Sequence, residues 1–155
     1  MQGDVLEPAS LARACAGATQ VVSSASNVMG TGVTSPMRVD VSGYRNLCAA
    51  AREAGVDRLV NILARGIAAD SSVDYFRVKF QVDEIIKASG VPWVLVKPSA
   101  FMETWVSQLL GDGIRNKGTA VLFGDGQRAS NLRESHAFAA PHLSSESASR
   151  RHGDA

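Results

Sequence analysis

The 155-residue chain predicts an α/β fold: a parallel sheet of three main strands with flanking helices. Two observations carry this reading. Three short, mostly apolar runs, TQVVSS at 19–24, LVNIL at 59–63 and WVLVK at 93–97, alternate with longer segments of helical period. Turn residues punctuate that alternation: Gly17, Gly55 and Gly90 close the helical segments, and Pro92 and Pro98 bracket the last strand. Strand–helix–strand alternation of this kind makes parallel sheets through right-handed crossovers. Ligands of such sheets sit at the carboxyl ends of the strands, which selects residues 23–27, 63–66 and 97–102.

The elements follow in order. Pro8 suits a helical first turn, Leu11 and Cys15 share a face, and Gly17 ends that helix. After the first strand, residues 26–35 are small and polar and read as a loop. Residues 39–54 form the clearest helix, because Val41, Tyr44, Cys48 and Ala51 recur on one face. The LVNIL run is apolar enough to be buried on both faces. Residues 73–88 predict a second long helix, with Phe76, Phe80, Val82, Ile85 and Ile86 as its apolar positions. Residues 101–110 predict a short helix and 119–123 a further strand. Trp93, Phe101 and Trp105 are read as core. From Arg128 onward the chain is rich in serine and arginine without period, so residues 127–155 are expected to be an irregular or disordered tail beyond a domain of residues 1–126.

Composition limits function. Sixteen Lys and Arg against fifteen Asp and Glu leave a net charge of +1, which offers no field for nucleic acid or an anionic membrane. Neither a membrane span nor an export signal is visible, so the cytoplasm is the expected location. Cys15 and Cys48 sit within apolar helical patterns and read as core filler. His136, His142 and His152 all lie in the tail, and no zinc-like spacing occurs, so no metal site is expected.

Several motifs, in order, carry a family resemblance. They are Gly3-Asp4-Val5 before Leu11-Ala12-Arg13-Ala14; Val21-Val22-Ser23-Ser24-Ala25-Ser26; and Gly43-Tyr44-Arg45-Asn46-Leu47 leading into Ala50-Ala51-Arg52-Glu53-Ala54-Gly55-Val56. Tyr75-Phe76-Arg77-Val78-Lys79 follows, then Ser89-Gly90-Val91-Pro92 and Lys97-Pro98-Ser99-Ala100-Phe101-Met102-Glu103. From Gly3 to about Gly126 this order and spacing resembles NmrA-like, atypical short-chain dehydrogenases/reductases. The resemblance implies a partial Rossmann-like sheet with the LVNIL strand in the middle, an NAD(P) cofactor and an oxidoreductase lineage, with NAD and NADP not distinguished. It implies cofactor contacts from Asp4, Val5, Ser23, Ser24, Ala25, Ser26, Lys79, Pro98, Ser99, Ala100 and Phe101. In such enzymes a tyrosine exchanges a proton with the substrate oxygen, assisted by a lysine; Tyr75 and Lys79 match that pair as catalytic residues. Their spacing of four puts both on one helix face. A free phenol has a pKa near ~10, so a neighbouring cation is needed for it to act near neutrality.

Three departures qualify the resemblance. No glycine-rich phosphate loop is present, since Gly30-x-Gly32 opens no helix, and only two residues precede Gly3; the first βαβ unit is therefore expected to be absent and cofactor binding weakened. Leu63 stands where the family often has serine, in Ile62-Leu63-Ala64-Arg65-Gly66. After Gly126 the family pattern stops. The resulting expectation is an NAD(P)-binding protein of a reductase lineage acting on a small, unspecified substrate. The alternatives are a non-catalytic NAD(P)H-sensing regulator or assembly factor with a protein partner, and an inactive truncated product.

Overall fold

The computed structural model describes residues 3–27, 30–99, 101 and 111–119. The chain divides into two compact units, Met1–Lys97 and Pro98–Ala155. Within the first unit the order is α1 (Pro8–Cys15), β1 (Gln20–Ser23), a short 3-10 turn (Gly32–Thr34), a wide π-type turn (Met37–Ser42), α2 (Gly43–Glu53), β2 (Arg58–Ile62), α3 (Asp74–Lys87) and β3 (Trp93–Val96). The three strands form one parallel sheet in the order β1-β2-β3. The LVNIL strand is central, as the family resemblance implies.

Register ties the strands together in rows. Val22 pairs with Val60 and Val60 with Val94, while Ser23 pairs with Asn61 and Asn61 with Leu95. Alternation along β2 sends Leu59 and Asn61 into the core and leaves Val60 and Ile62 half-buried on the other face. The core lies between the first of these faces and the helices. Leu11 and Cys15 of α1, Tyr44, Leu47, Cys48 and Ala51 of α2, Leu59 and Leu63, and Val82 and Ile86 of α3 make one cluster. Fully burying a side chain such as Leu59 or Ile86 contributes about 1.5–3 kcal/mol.

Helix α2 shows why the sequence folds this way. Its predicted face, Val41, Tyr44, Cys48 and Ala51, is buried throughout. At its end Gly55 adopts φ 68°, a left-handed conformation that costs glycine little. The Gly55 and Val56 amides then bond to the carbonyls of Arg52 and Ala51, a closure that satisfies orphan carbonyls. The predicted helix at 39–54 begins differently, because residues 37–42 form the wider π-type turn before regular α-helix starts.

Two expectations about packing are corrected. The buried stripe of α3 is Lys79, Val82, Asp83 and Ile86, whereas Phe76 and Phe80 are only half-buried. The helix can turn charged positions inward because each has a partner: Lys79 pairs with Asp40, and Asp83 with both Lys87 and Lys97. Trp93, read as core, is 43% exposed. It opens β3, which among the described residues has a strand neighbour on one side only.

In the second unit the described residues include a short helix, α4 (Asp112–Lys117), that the sequence reading does not anticipate; Gly118 ends it at φ 63°. The predicted helix at 101–110 falls outside the described residues except for Phe101, the strand at 119–123 except for Thr119, and Trp105 and the tail at 127–155 entirely. No helix among the described residues is long and apolar enough to cross a membrane.

Candidate functional site

At the carboxyl end of β1, strand and helices converge on a set of polar groups. Ser23 is the last residue of β1, and its Oγ lies 2.9 Å from the Tyr44 hydroxyl. That hydroxyl is 2.7 Å from Asn61 Oδ1 and 3.2 Å from the Ala25 carbonyl oxygen. One phenol of α2 therefore ties the turn after β1 to the centre of β2. Burial is the main cause that pushes the Tyr44 phenol up to about 12, with the Ser23 hydrogen bond opposing it and the Asp40 charge adding to it. Tyr44 stays protonated and acts as a structural donor. The Asn61 side-chain amide nitrogen is buried and has no hydrogen-bond partner among the described residues.

Beside this network lies a buried ion pair. Lys79 Nζ of α3 sits 2.6 Å from Asp40 Oδ1, with side-chain exposures of 3% and 1%. The other carboxylate oxygen, Oδ2, accepts the Asn27 backbone N–H at 3.1 Å. Asp40 thus bridges the loop after β1 and the lysine of the YxxxK segment. Lys79 reaches this position because Asp40 lies on the π-type turn just ahead of α2, four residues before Tyr44. Lys79 is therefore not a solvated side chain.

Tyr75, one helical turn before Lys79, is half-buried. Its ring lies 5.5 Å from that of Phe76, and Lys79 Nζ lies 5.7 Å from the Tyr75 ring centroid. The ammonium faces the ring while its charge is matched by Asp40. Burial first, and the Asp40 charge second, raise the Tyr75 phenol above its ordinary value. The lysine next door does not reverse this.

The remaining expected site residues distribute as follows. Ser24 and Ser26 are exposed on the turn after β1, and Ala25 is partly buried against the core. Asp4 closes a local turn: its Oδ1 accepts the Leu6 amide at 2.8 Å and its own amide donates to Ser10 Oγ. The Val5 carbonyl accepts from Asn46 Nδ2 at 3.1 Å, and a Cβ at Gly43 would lie 3.0 Å from Val5 Cγ2. The 4–5 segment is thereby held against the start of α2, one residue from Tyr44. Leu63 is buried, so no hydroxyl occupies the position where the resemblance expects serine. Pro98, Ser99 and Phe101 belong to the second unit, and Ala100 and Met102 lie outside the described residues.

Asp40, Tyr44 and Asn61 were missed as site residues. A signal existed for each: an acid and a tyrosine four apart on an otherwise apolar face, and one amide inside an apolar strand. Both patterns require a buried polar partner.

Ser24 and Ser26, exposed on the turn after β1, are open to hydrogen bonds from a ligand, whereas Lys79 Nζ is buried against Asp40. A diphosphate cradle is not found among the described residues. The Gly30 loop is closed on itself, since a Cβ there would collide with the Thr34 carbonyl oxygen.

Residues 1–122 match the NAD(P)H-binding family. A curated relative from Streptomyces griseus, (4-alkanoyl-5-oxo-2,5-dihydrofuran-3-yl)methyl phosphate reductase, is 33% identical over 81 residues, 51% of this chain and 28% of its own length. Among solved structures, the NADPH-dependent quinone oxidoreductase of Escherichia coli in complex with NADPH superposes with a TM-score of 0.58 at 20% identity, over 72% of this chain and 38% of that one. The dTDP-glucose 4,6-dehydratase of Streptomyces venezuelae with NAD bound gives 0.64 at 19% identity, over 84% and 48%. The chain spans less than half the length of each of these proteins. With its parallel sheet and its match over residues 1–122, this chain belongs to the NAD(P)H-binding family.

Proposed function

We propose that this chain carries the ribose and proton-donor side of an NAD(P)H-dependent reductase site, built on the carboxyl ends of β1 and β2 and on α3. The observation that carries this reading is the buried Lys79 ammonium, held by Asp40 beside the turn that follows β1. Lys79 donates to the ribose hydroxyls, and Ser23, Ser24, Ala25 and Ser26 line the cofactor. Asp4 and Val5 complete the proposed contacts of this unit. NAD(P)H, when bound, supplies a hydride to an electrophilic carbon of a small carbonyl compound or quinone. Tyr75 then gives its phenolic proton to the substrate oxygen and recovers one from solvent. A phenol held above its ordinary pKa is fully protonated through the neutral range, which suits a proton donor and not a base.

A specific observation favours a second reading, a non-catalytic NAD(P)H sensor. Leu63 is buried where a hydroxyl would polarise the substrate carbonyl. Turnover with NADPH and a panel of ketones and quinones separates the two. The reductase reading expects NADPH oxidation that depends on the second substrate and is lost in Tyr75→Phe. Saturable NADPH binding without turnover on any acceptor supports the sensor, and no binding of either dinucleotide overturns both.

A further inference from the structure

We propose that Tyr44 is a positioning residue for this site: it holds the peptide after Ala25 so that the Ser26 backbone N–H points out of the fold, as a donor to an oxygen of the bound dinucleotide. The inference deepens the reductase reading and rests on it for the identity of the ligand.

The Tyr44 hydroxyl has one proton and two acceptors within reach, Asn61 Oδ1 at 2.7 Å and the Ala25 carbonyl oxygen at 3.2 Å. The Asn61 Nδ2 meanwhile is buried without a partner among the described residues. A half-turn of the Asn61 amide resolves both, because its nitrogen then donates to the Tyr44 oxygen. Ser23 donates to the same oxygen at 2.9 Å, and the Tyr44 proton is left for Ala25. This arrangement makes one hydrogen bond more than the alternative. It leaves over a carbonyl oxygen, which is less costly to orphan than an N–H.

Peptide planarity turns the Tyr44–Ala25 bond into a direction. In a trans peptide the C=O and the following N–H point opposite ways, and no cis bond occurs among the described residues. With the Ala25 carbonyl drawn inward to Tyr44, the Ser26 N–H faces outward. The residues on either side are held: the Ala25 N–H lies 3.5 Å from Ser23 Oγ, and the Asn27 N–H donates to Asp40 Oδ2 at 3.1 Å. Between these two anchors Ser26 is exposed, and its amide has no partner among the described residues. Ser23 cannot take this role, since its hydroxyl proton is committed to Tyr44. A donor fixed in place before the ligand arrives spares the entropy of ordering the turn on binding.

Backbone amide NMR on the purified full chain reads each step. In wild type, saturating NADPH should slow hydrogen exchange of the Ser26 amide by about tenfold or more. An unprotected Ser26 amide at saturation overturns the proposal, and this arm needs no variant. In Tyr44→Phe, studied well below its melting temperature, relaxation of Ala25 and Ser26 without ligand should report a newly mobile turn. The Kd for NADPH should rise about three- to tenfold. Ser23→Ala frees the Ala25 amide, should act in the same direction, and serves if Tyr44→Phe does not fold. A folded variant whose turn stays rigid, or whose Kd is unchanged, overturns the proposal equally. If wild type binds no NADPH, the reductase reading falls, while the ligand-free relaxation still decides whether Tyr44 holds the turn.

Discussion

Replacing Lys79 by methionine tests the energetics of the buried pair. The substitution keeps a chain of similar length but strands the Asp40 carboxylate, whose side chain is 1% exposed, with the Asn27 amide as its remaining described partner. At 2.6 Å and an effective dielectric of ~20, the lost attraction is about 6 kcal/mol, from 332/(20 × 2.6). Desolvating both ions offsets much of that in the wild type, so the intact pair adds little net stability. Breaking it leaves the desolvation of Asp40 uncompensated, which typically costs 3–5 kcal/mol. A domain of total stability ~5–15 kcal/mol would feel such a loss as a large fall in its urea midpoint. The double variant Asp40→Asn/Lys79→Met removes both charges and should recover most of the loss. Urea unfolding followed by circular dichroism measures all three proteins. A Lys79→Met protein within about 1 kcal/mol of wild type, or a double variant less stable than the single one, would refute the picture of a sealed, mutually dependent pair.

Tyr44→Phe removes the hydroxyl shared by Ser23, Ala25 and Asn61 and leaves the Asn61 side chain buried without a described partner; thermal melts should show a loss of about 1–3 kcal/mol, and a neutral result would mean that water reaches Asn61. Gly43→Val forces a branched side chain against Val5, where even a Cβ would sit at 3.0 Å, so about 1–3 kcal/mol should be lost in the same assay and the 4–5 segment displaced. Cys15 and Cys48 are buried, and burial pushes the Cys48 thiol up to about 11; both should resist a thiol reagent in the native protein and react at once in guanidinium, whereas fast native labelling would show that the core opens. In turnover, reduction should run flat through neutral pH and fall only as pH rises through the raised Tyr75 value, because the protonated phenol is the active form and is present below that value.

Much of the fold was legible because its signals are local and repeated. The α2 face from Val41 to Ala51 follows a helical period that only burial on one side explains, and Gly55 and Gly90 mark its end and that of α3. Parallel pairing follows from strand–helix alternation, and the order β1-β2-β3 from the family resemblance. What the sequence concealed depends on pairing between distant residues. Lys79 reads as a solvent-facing or ligand-facing cation until Asp40, thirty-nine positions earlier, is known to lie beside it. In α3 the apolar positions Val82 and Ile86 are buried, but hydropathy alone does not reveal that Lys79 and Asp83 also face inward, with partners contributed by other elements or by the next turn. Asn61 within LVNIL hinted at a buried hydrogen bond, but nothing local names Tyr44 as its partner. Size and apolarity place Trp93 in the core and do not reveal that it opens a strand which, among the described residues, has a neighbour on one side only.

The central claim is the location of the dinucleotide at the carboxyl ends of β1 and β2, beside Asp40 and Lys79. Amide chemical-shift mapping during an NADPH titration tests it directly. The resonances of Ser24, Ala25, Ser26 and Asn27 should move and saturate together with those of Asp40 and Lys79, while Thr19 and Asp57, at the amino ends of the same strands, stay fixed. Saturable shifts clustered at Thr19, Asp57 and Trp93, with the turn after β1 unmoved, would contradict it.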